Sequence, residues 1–257
     1  MIRLDDAGPY HVRVQRGQTK RYRTVTRSVR MFEAFLHEQT DPDVFYGSLA
    51  RDTIELISAH EPLNQRLVVD VGAGEPQFAA EFAGRGARYL PVDIDRAALE
   101  LLPRGVGVLG RGERIPLASG CADVVISSNV AEHVRHPGVL GDELIRIARP
   151  GGLILLAYTS WASPWGGHET SPWHWLGGDR AARIYQWRHG HPPKNRFGVC
   201  MFPTSVGGGL NWARTRNNAW LVDAYPRYHP DWAAGVLRVP GLREVGTWNL
   251  LLMLRRR

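Results

Sequence analysis

The chain has 257 residues, 44% of them hydrophobic and 22% charged, enough for one large domain with a substantial apolar core. No run of eighteen apolar residues predicts a membrane span, no apolar leader opens the chain, so a cytoplasmic location is expected, and two cysteines, Cys121 and Cys200, make neither a disulfide framework nor a zinc cluster. The net charge of +7 sits at the ends, with eight basic residues against two acidic in residues 1–30 and arginine at 255–257, so the body is near neutral and lacks the footprint of a nucleic-acid binder.

Residues 1–28 show no apolar period and read as a loose basic arm, either merely solvated or in weak contact with an anionic surface. "SVRMFEAFLHEQ" (28–39) places Val29, Phe32, Phe35 and Leu36 at helical spacing. "DPDVFYGSLARDTIELISAH" offers Asp41 as N-cap and Pro42 at the first helical position, with Val44, Phe45, Leu49, Ile54 and Ile57 on one face.

From residue 66 the pattern changes. "RLVVDV" (66–71) is a short apolar run closed by glycines, as a buried parallel strand would be. A helix "PQFAAEFAG", a strand "RYLPVDI" (88–94) and a helix "DRAALELL" follow. "GVGVLG" (105–110) and "ADVVISS" (122–128) read as strands three and four, "VLGDELIRIARPGG" as a helix, "LILLAYT" (153–159) as strand five and "NLLLMLRR" (249–256) as a last strand. Strands alternating with helices predict an α/β fold, a doubly wound and mostly parallel sheet. Between 160 and 240 the pattern is interrupted, and all nine tryptophans fall after residue 160.

Ligands of open α/β sheets bind at the carboxyl ends of the strands. "DVGAGEP" (70–76) ends the first strand, and Gly72 and Gly74 let a backbone approach a ligand without a Cβ in the way. A dinucleotide fingerprint would need glycine or alanine where Gln77 stands, which weakens a hydride-transfer reading. Asp93 ends the second strand, where a carboxylate can accept bonds from both ribose hydroxyls of a nucleoside, while Asp95 suits a helix cap.

"LVVDVGAGEPQFA", "YLPVDID", "GERIPLASGCADVVISSNVAEHV" and "ELIRIARPGGLILLAYT", in that order over 66–159, resemble class I S-adenosylmethionine-dependent methyltransferases. The similarity is closest to the branch that includes the ubiquinone- and menaquinone-pathway enzymes. It implies a seven-stranded Rossmann-like sheet with an antiparallel last strand. It implies S-adenosylmethionine as cofactor, with S-adenosylhomocysteine as product. Asp70, Gly72, Ala73 and Gly74 would line the methionine portion. Asp93 would hold the ribose, Ile94 would pack on adenine, Gly112 and Glu113 would flank the adenine edge, and Asn129 and Val130 would lie near the sulfonium. Tyr46, on a helix laid across the cofactor, would reach the methionine end. Pro76 stands where a third glycine is usual, and Arg111 where an aspartate commonly binds the adenine amino group. Glu132 and His133 match the family's "EH" pair, a structural feature first, with His133 also a candidate acceptor contact.

The division expected is a basic arm with N-terminal helices (1–60), a cofactor core (61–160), an aromatic-rich acceptor lid after strand five (161–240) and the last of the sheet (241–257). The lid opens on "WASPWGGHETSPWHW" (161–175). Trp161, Trp165, Trp173 and Trp175 can exclude water and stack on a ring or the CH face of a sugar. With Tyr158, His133 and His191 they make up the expected acceptor contacts. Methyl transfer is an in-line displacement in which the protein aligns the partners, but an unactivated hydroxyl benefits from a base. His168, Glu169 and His174 share one short loop, so a lid histidine is expected as general base, with Glu169 orienting an imidazole. The glycines at 166, 167, 177 and 178 would permit a hinge. A metal held by that trio is disfavoured, since magnesium prefers carboxylates and water. No metal is therefore expected. The tract 166–198 also resembles actinobacterial methyltransferases. The leading reading is O-methylation of a small-molecule or glycan acceptor. The rivals are a non-catalytic cofactor-binding partner subunit and a nucleic-acid methyltransferase, the latter disfavoured because strand four ends "SSNVAEHV" and not Asn/Asp-Pro-Pro-aromatic.

Overall fold

The computed structural model describes residues 22–37, 40–74, 76–102 and 107–257. The arm up to Arg21, Glu75 of the glycine loop and the first residues of the expected third strand lie outside them. Helices α1 (Val25–Leu36) and α2 (Pro42–Ser58) precede the sheet. Then follow β1 (Leu67–Val71), α3 (Pro76–Gly84), β2 (Arg88–Asp93), α4 (Arg96–Glu100), β3 (Val108–Leu109) and β4 (Ala122–Ser128). After these come α5 (Pro137–Ile147), β5 (Ala148–Thr159), α6 (Gly178–His189), α7 (Val206–Thr215), β6 (Ala219–Pro226), α8 (Leu242–Gly246) and β7 (Asn249–Arg256).

The seven strands lie in the order β3-β2-β1-β4-β5-β7-β6. The pairs from β3 to β5 are parallel, and β7 runs antiparallel to both β5 and β6. Alternate side chains of the buried strands supply two cores. Val68, Val124, Ile126 and Leu155 pack with α1, α2 and α3, while Val69, Val125, Ile154 and Leu156 pack with α5 and α7. Because β7 is antiparallel, with Thr159 opposite Asn249, its first residues lie at the carboxyl edge of β5. The end of β6 reaches the same edge, with Pro226 opposite Leu250. No helix among the described residues is long and apolar enough to cross a membrane.

Four local expectations change. Helix α1 starts at Val25, because the Thr24 hydroxyl caps it by accepting the Arg27 N–H at 3.1 Å. Its inward face is Arg27, Met31 and Ala34, whereas Val29 and Leu36 are exposed. The helix before β5 ends at Ile147, and "ARPGG" enters the strand, since proline cannot continue a helix. Strand β6 falls within the stretch read as lid.

The basic ends are also not free tails where they are described. Arg23 lies 2.8 Å from Asp231 and stacks over the Tyr225 ring. Arg27 pairs with Asp52, and Arg255 donates to Glu61 and to the carbonyls of His60 and Gly151. These arginines tie the first and last described segments to α2, to Asp231 and to the sheet, and are engaged in internal pairs.

Candidate active site

The β1–α3 turn is built for close approach. The Gly72 N–H donates to the Val92 carbonyl at 2.8 Å, with φ at +84°, and the buried Ala73 follows it. A Cβ at Gly72 would run into Val130 Cγ2, whereas one at Gly74 would meet nothing. The two glycines therefore predict different outcomes. Gly72→Ala is expected to lose about 1–2 kcal/mol from its backbone conformation alone, and more from Val130. Gly74→Ala is expected to keep wild-type stability while losing affinity for S-adenosylhomocysteine. Urea denaturation beside calorimetric titration checks both, and unchanged affinity in Gly74→Ala would remove the turn from the cofactor site. Pro76, the departure from the family's glycine, opens α3, where its fixed φ suits a first helical turn.

Asp70 is buried, and its Oδ2 accepts the Tyr89 hydroxyl at 2.6 Å. Burial pushes its carboxyl up to about 7, more than this bond lowers it. Asp93 ends β2 half-exposed, with Oδ1 accepting the Asp95 N–H at 2.8 Å, and Asp95 caps α4 through the Ala97 N–H. Ile94 beside it is 63% exposed at this open edge. Glu113 is half-exposed in the turn after β3, but Gly112 has a packing reason of its own, since a Cβ there would sit 2.7 Å from Leu140 Cδ1.

Beyond the ends of β4 and β5 lies a cavity of about 810 Å³ between α1, α2 and the lid. Of the expected cofactor contacts, Tyr46 and Asn129 line it, whereas Asp70, the glycine turn and Asp93 do not. Asn129 has φ at +59°, and its Oδ1 accepts the Asn249 Nδ2–H at 2.8 Å, which fixes the amide. One wall is apolar, from Met31, Phe32, Phe35, Phe45, Trp165 and Trp248. The polar lining comes from His133, His168, Glu169, Tyr185, His191 and Asn195.

The expected catalytic trio is not assembled. His168 faces the cavity, with φ at +49°, and its Nε2 is buried without a hydrogen-bond partner in the protein. A non-glycine residue held in that region is strained, and such strain clusters at functional sites. Burial, then the charge of His133, pushes its imidazole down to about 4, so it is neutral near pH 7. Glu169 does not orient an imidazole, because its two oxygens accept the Asn195 backbone N–H at 2.6 Å and side-chain N–H at 2.8 Å. It clamps the two halves of the lid together. His174 is buried outside the cavity, where Nε2 donates to the Ser163 carbonyl at 3.0 Å. Burial holds its pKa below the usual value, and its role is to brace the turn. What stands against His168 instead is His133, with ring centroids 5.2 Å apart.

The expected aromatic wall is mostly scaffold. Of its tryptophans only Trp165 lines the cavity, 5.0 Å from the Phe35 ring and 5.9 Å from Trp248. Trp161 packs on Phe197 and His174, Trp173 lies under Arg188, and Trp175 donates to the Ala162 carbonyl. Tyr158 is buried, its hydroxyl donating to the Ser205 carbonyl. Gly166 and Gly167 are packed against backbone and the His174 ring, and Gly178 against Phe197, so these three serve close packing in place of a hinge. Gly177, at φ +101° with open space around it, keeps that freedom. The face of α1 and Trp248 were not expected in the site. The α1 period was visible, but nothing local marked Trp248.

Residues 69–156 match a family described as a methyltransferase domain. An uncharacterized methyltransferase of Mycobacteroides abscessus is 45% identical over 249 residues, covering 91% of this chain and 95% of that protein. Another from Mycolicibacterium gilvum is 46% identical over 244 residues, covering 90% and 95%. Among solved structures, an S-adenosylmethionine-dependent methyltransferase from Mesorhizobium loti superposes with a TM-score of 0.54 at 19% identity, over 80% of this chain and 98% of that one. Geranyl diphosphate C-methyltransferase from Streptomyces coelicolor, in complex with Mg2+, geranyl diphosphate and S-adenosylhomocysteine, gives 0.55 at 14% identity, over 83% and 79%. The two structural likenesses speak to the fold alone.

Proposed function

This chain belongs to the S-adenosylmethionine-dependent methyltransferases, and from that premise we propose that it methylates a hydroxyl of a small-molecule or glycan acceptor held beneath the lid. The observation that carries this reading is His168 Nε2, a buried nitrogen with no partner in the protein, on a cavity wall shared with Asn129. An acceptor can stack an apolar or ring face on Trp165 and Trp248 and offer its polar groups to the polar residues of the same cavity. His168 Nε2 is positioned to accept the hydroxyl proton as the oxygen–carbon bond forms. Bound S-adenosylmethionine would supply the methyl group, the S–CH3 electron pair staying on sulfur to give S-adenosylhomocysteine. Among the expected cofactor contacts, Asp93 holds the ribose and Asp70 the methionine ammonium.

Calorimetric titration with S-adenosylhomocysteine tests the cofactor half, and two shifts are expected. Asp93→Ala loses two charge-assisted ribose bonds and should weaken binding at least about a hundredfold. Asp70 gives a pH dependence. The free protein holds it protonated below about 7, and the ligand ammonium favours the carboxylate. Binding then releases a proton, so affinity falls as pH drops from 8 to 6, approaching about tenfold per unit below pH 7. Asp70→Asn should bind weakly without that slope. A pH-independent affinity in the wild type would exclude Asp70 from the ammonium site. Cofactor binding without turnover of any glycan, lipid or phenolic acceptor would point to a cofactor-binding subunit instead.

A further inference from the structure

Strand β4 ends in a short 3-10 turn, Ala131–His133, that brings Glu132 and His133 under the lid. With His168 they form a group whose ligand atoms all lie within 4.8 Å of one another. Each member is oriented from behind. The Glu132 carboxylate is 2% exposed, and its Oε1 accepts the Thr159 N–H at 3.0 Å, which leaves Oε2 buried and without a partner in the protein. His133 Nδ1 lies 2.7 Å from the Cys200 carbonyl. A carbonyl only accepts, so Nδ1 carries the proton and the Nε2 lone pair is available. That is the outer-shell arrangement by which a backbone carbonyl fixes the tautomer of a ligating histidine. His168 Nε2 is the third candidate ligand atom, buried like Glu132 Oε2 and without a partner, on a turn held by its N–H to the Trp165 carbonyl at 2.9 Å. An unsatisfied buried polar atom costs about 1–3 kcal/mol, and two of them meet in this one cluster.

We propose that Glu132, His133 and His168 bind one divalent transition-metal ion, of the zinc, iron or cobalt type, at the floor of the acceptor cavity. The donor set decides the class of ion. Two imidazoles with one carboxylate suit these ions, whereas magnesium and calcium take oxygen ligands. Three protein ligands also leave a coordination position for a small molecule, and His133 and His168 both line the cavity. The expectation from sequence that no metal is used rested on a different trio, His168, Glu169 and His174, which the fold separates. Ion binding stands on this geometry alone, and its consequence rests on the hydroxyl reading. Bound to such an ion, the acceptor oxygen would lose its proton to solvent more readily and would take the methyl group as the S–CH3 bond breaks with its electron pair left on sulfur. With the ion bound, the His168 lone pair is held by the metal and no longer accepts the hydroxyl proton; the ion in place of that base would lower the hydroxyl pKa.

The test uses the tag-free full chain, stripped with EDTA and titrated with Co2+, whose visible d–d absorption reports nitrogen and oxygen ligation, and with Zn2+ by calorimetry. One equivalent of each is expected. Loss of an outer-shell partner costs about 10–100-fold in affinity, so His168→Gln and Glu132→Gln should each weaken binding at least about a hundredfold. The exposed His136→Gln should leave it unchanged. Because Glu132→Gln touches a buried hydrogen bond, circular dichroism and S-adenosylhomocysteine titration accompany each variant, and His168→Gln on the lid carries the test if Glu132→Gln fails to fold. Absence of a Co2+ spectrum, or ion binding that His168→Gln leaves intact, overturns the inference. Cofactor binding retained in that same sample leaves the methyltransferase reading standing, so the two failures are told apart.

Discussion

Replacing His168 by alanine is expected to lower turnover about a hundredfold or more at saturating acceptor, with little change in affinity for S-adenosylhomocysteine. The split follows from geometry. The expected cofactor contacts at Gly72, Gly74 and Asp93 sit at the ends of β1 and β2 and do not line the cavity, whereas His168 does. Its backbone conformation, at φ +49°, is one that alanine tolerates no better, so the substitution gives no relief of strain that would mimic a chemical effect. The informative comparison is His174→Ala. That imidazole is buried against Trp161 and bonded to the Ser163 carbonyl, so its loss should lower stability and loosen the lid. Rate recovery on cooling or with a stabilising co-solvent would then be seen for His174→Ala and not for His168→Ala. An unchanged rate in His168→Ala at saturating acceptor would remove it from the mechanism.

The largest expected effect on stability lies away from the chemistry, at Arg27. Its guanidinium meets Asp52 through two bonds of 2.7 Å, Nε to Oδ1 and Nη2 to Oδ2, and Nη1 donates to the Arg227 carbonyl. The Tyr22 hydroxyl adds a bond to Asp52 Oδ1, and both members of the pair are buried. Arg27→Ala leaves a buried carboxylate without its counter-charge, which costs about 3–5 kcal/mol, against a typical domain stability of about 5–15 kcal/mol. The double change Arg27→Met with Asp52→Leu removes both charges and should recover most of the loss, because a buried pair contributes little net stability beyond an apolar substitute. Urea denaturation of the three proteins checks this, and a loss below about 1 kcal/mol in Arg27→Ala would mean that the pair is solvated. The effect reaches function because α1 carries Met31, Phe32 and Phe35 to the cavity. A partly undocked α1 should weaken acceptor binding before it weakens cofactor binding.

Both residues lie where sequence reading was weakest, for one reason. The strands at 122–128 and 249–256 and the helix at 76–84 match their observed bounds, because a strand buried on both faces or a proline-opened helix is written in consecutive residues. The glycine turn and the Asp95 cap were legible in the same way, through backbone chemistry that acts over two or three positions. Arg27 shows the limit. An arginine in a basic arm without apolar period reads as solvated, and only Asp52, 25 residues on in α2, makes its burial favourable.

The site divides along the same line. By itself the sequence determined an α/β sheet and the methyltransferase family, and it pointed to the carboxyl edge of the strands and to a histidine in the segment after strand five as the proposed site. The tertiary structure decided which lid side chains face inward. Glu169 turns to Asn195, His174 to Ser163, and of the four tryptophans in 161–175 only Trp165 reaches the cavity. It also brought Glu132 and His133 to His168, and Trp248 to Trp165, through the β4 turn and the antiparallel β7. A loop residue has no periodicity to give its direction. Its orientation is set by partners tens of residues away, and those contacts exist only once the sheet has fixed where each segment lies.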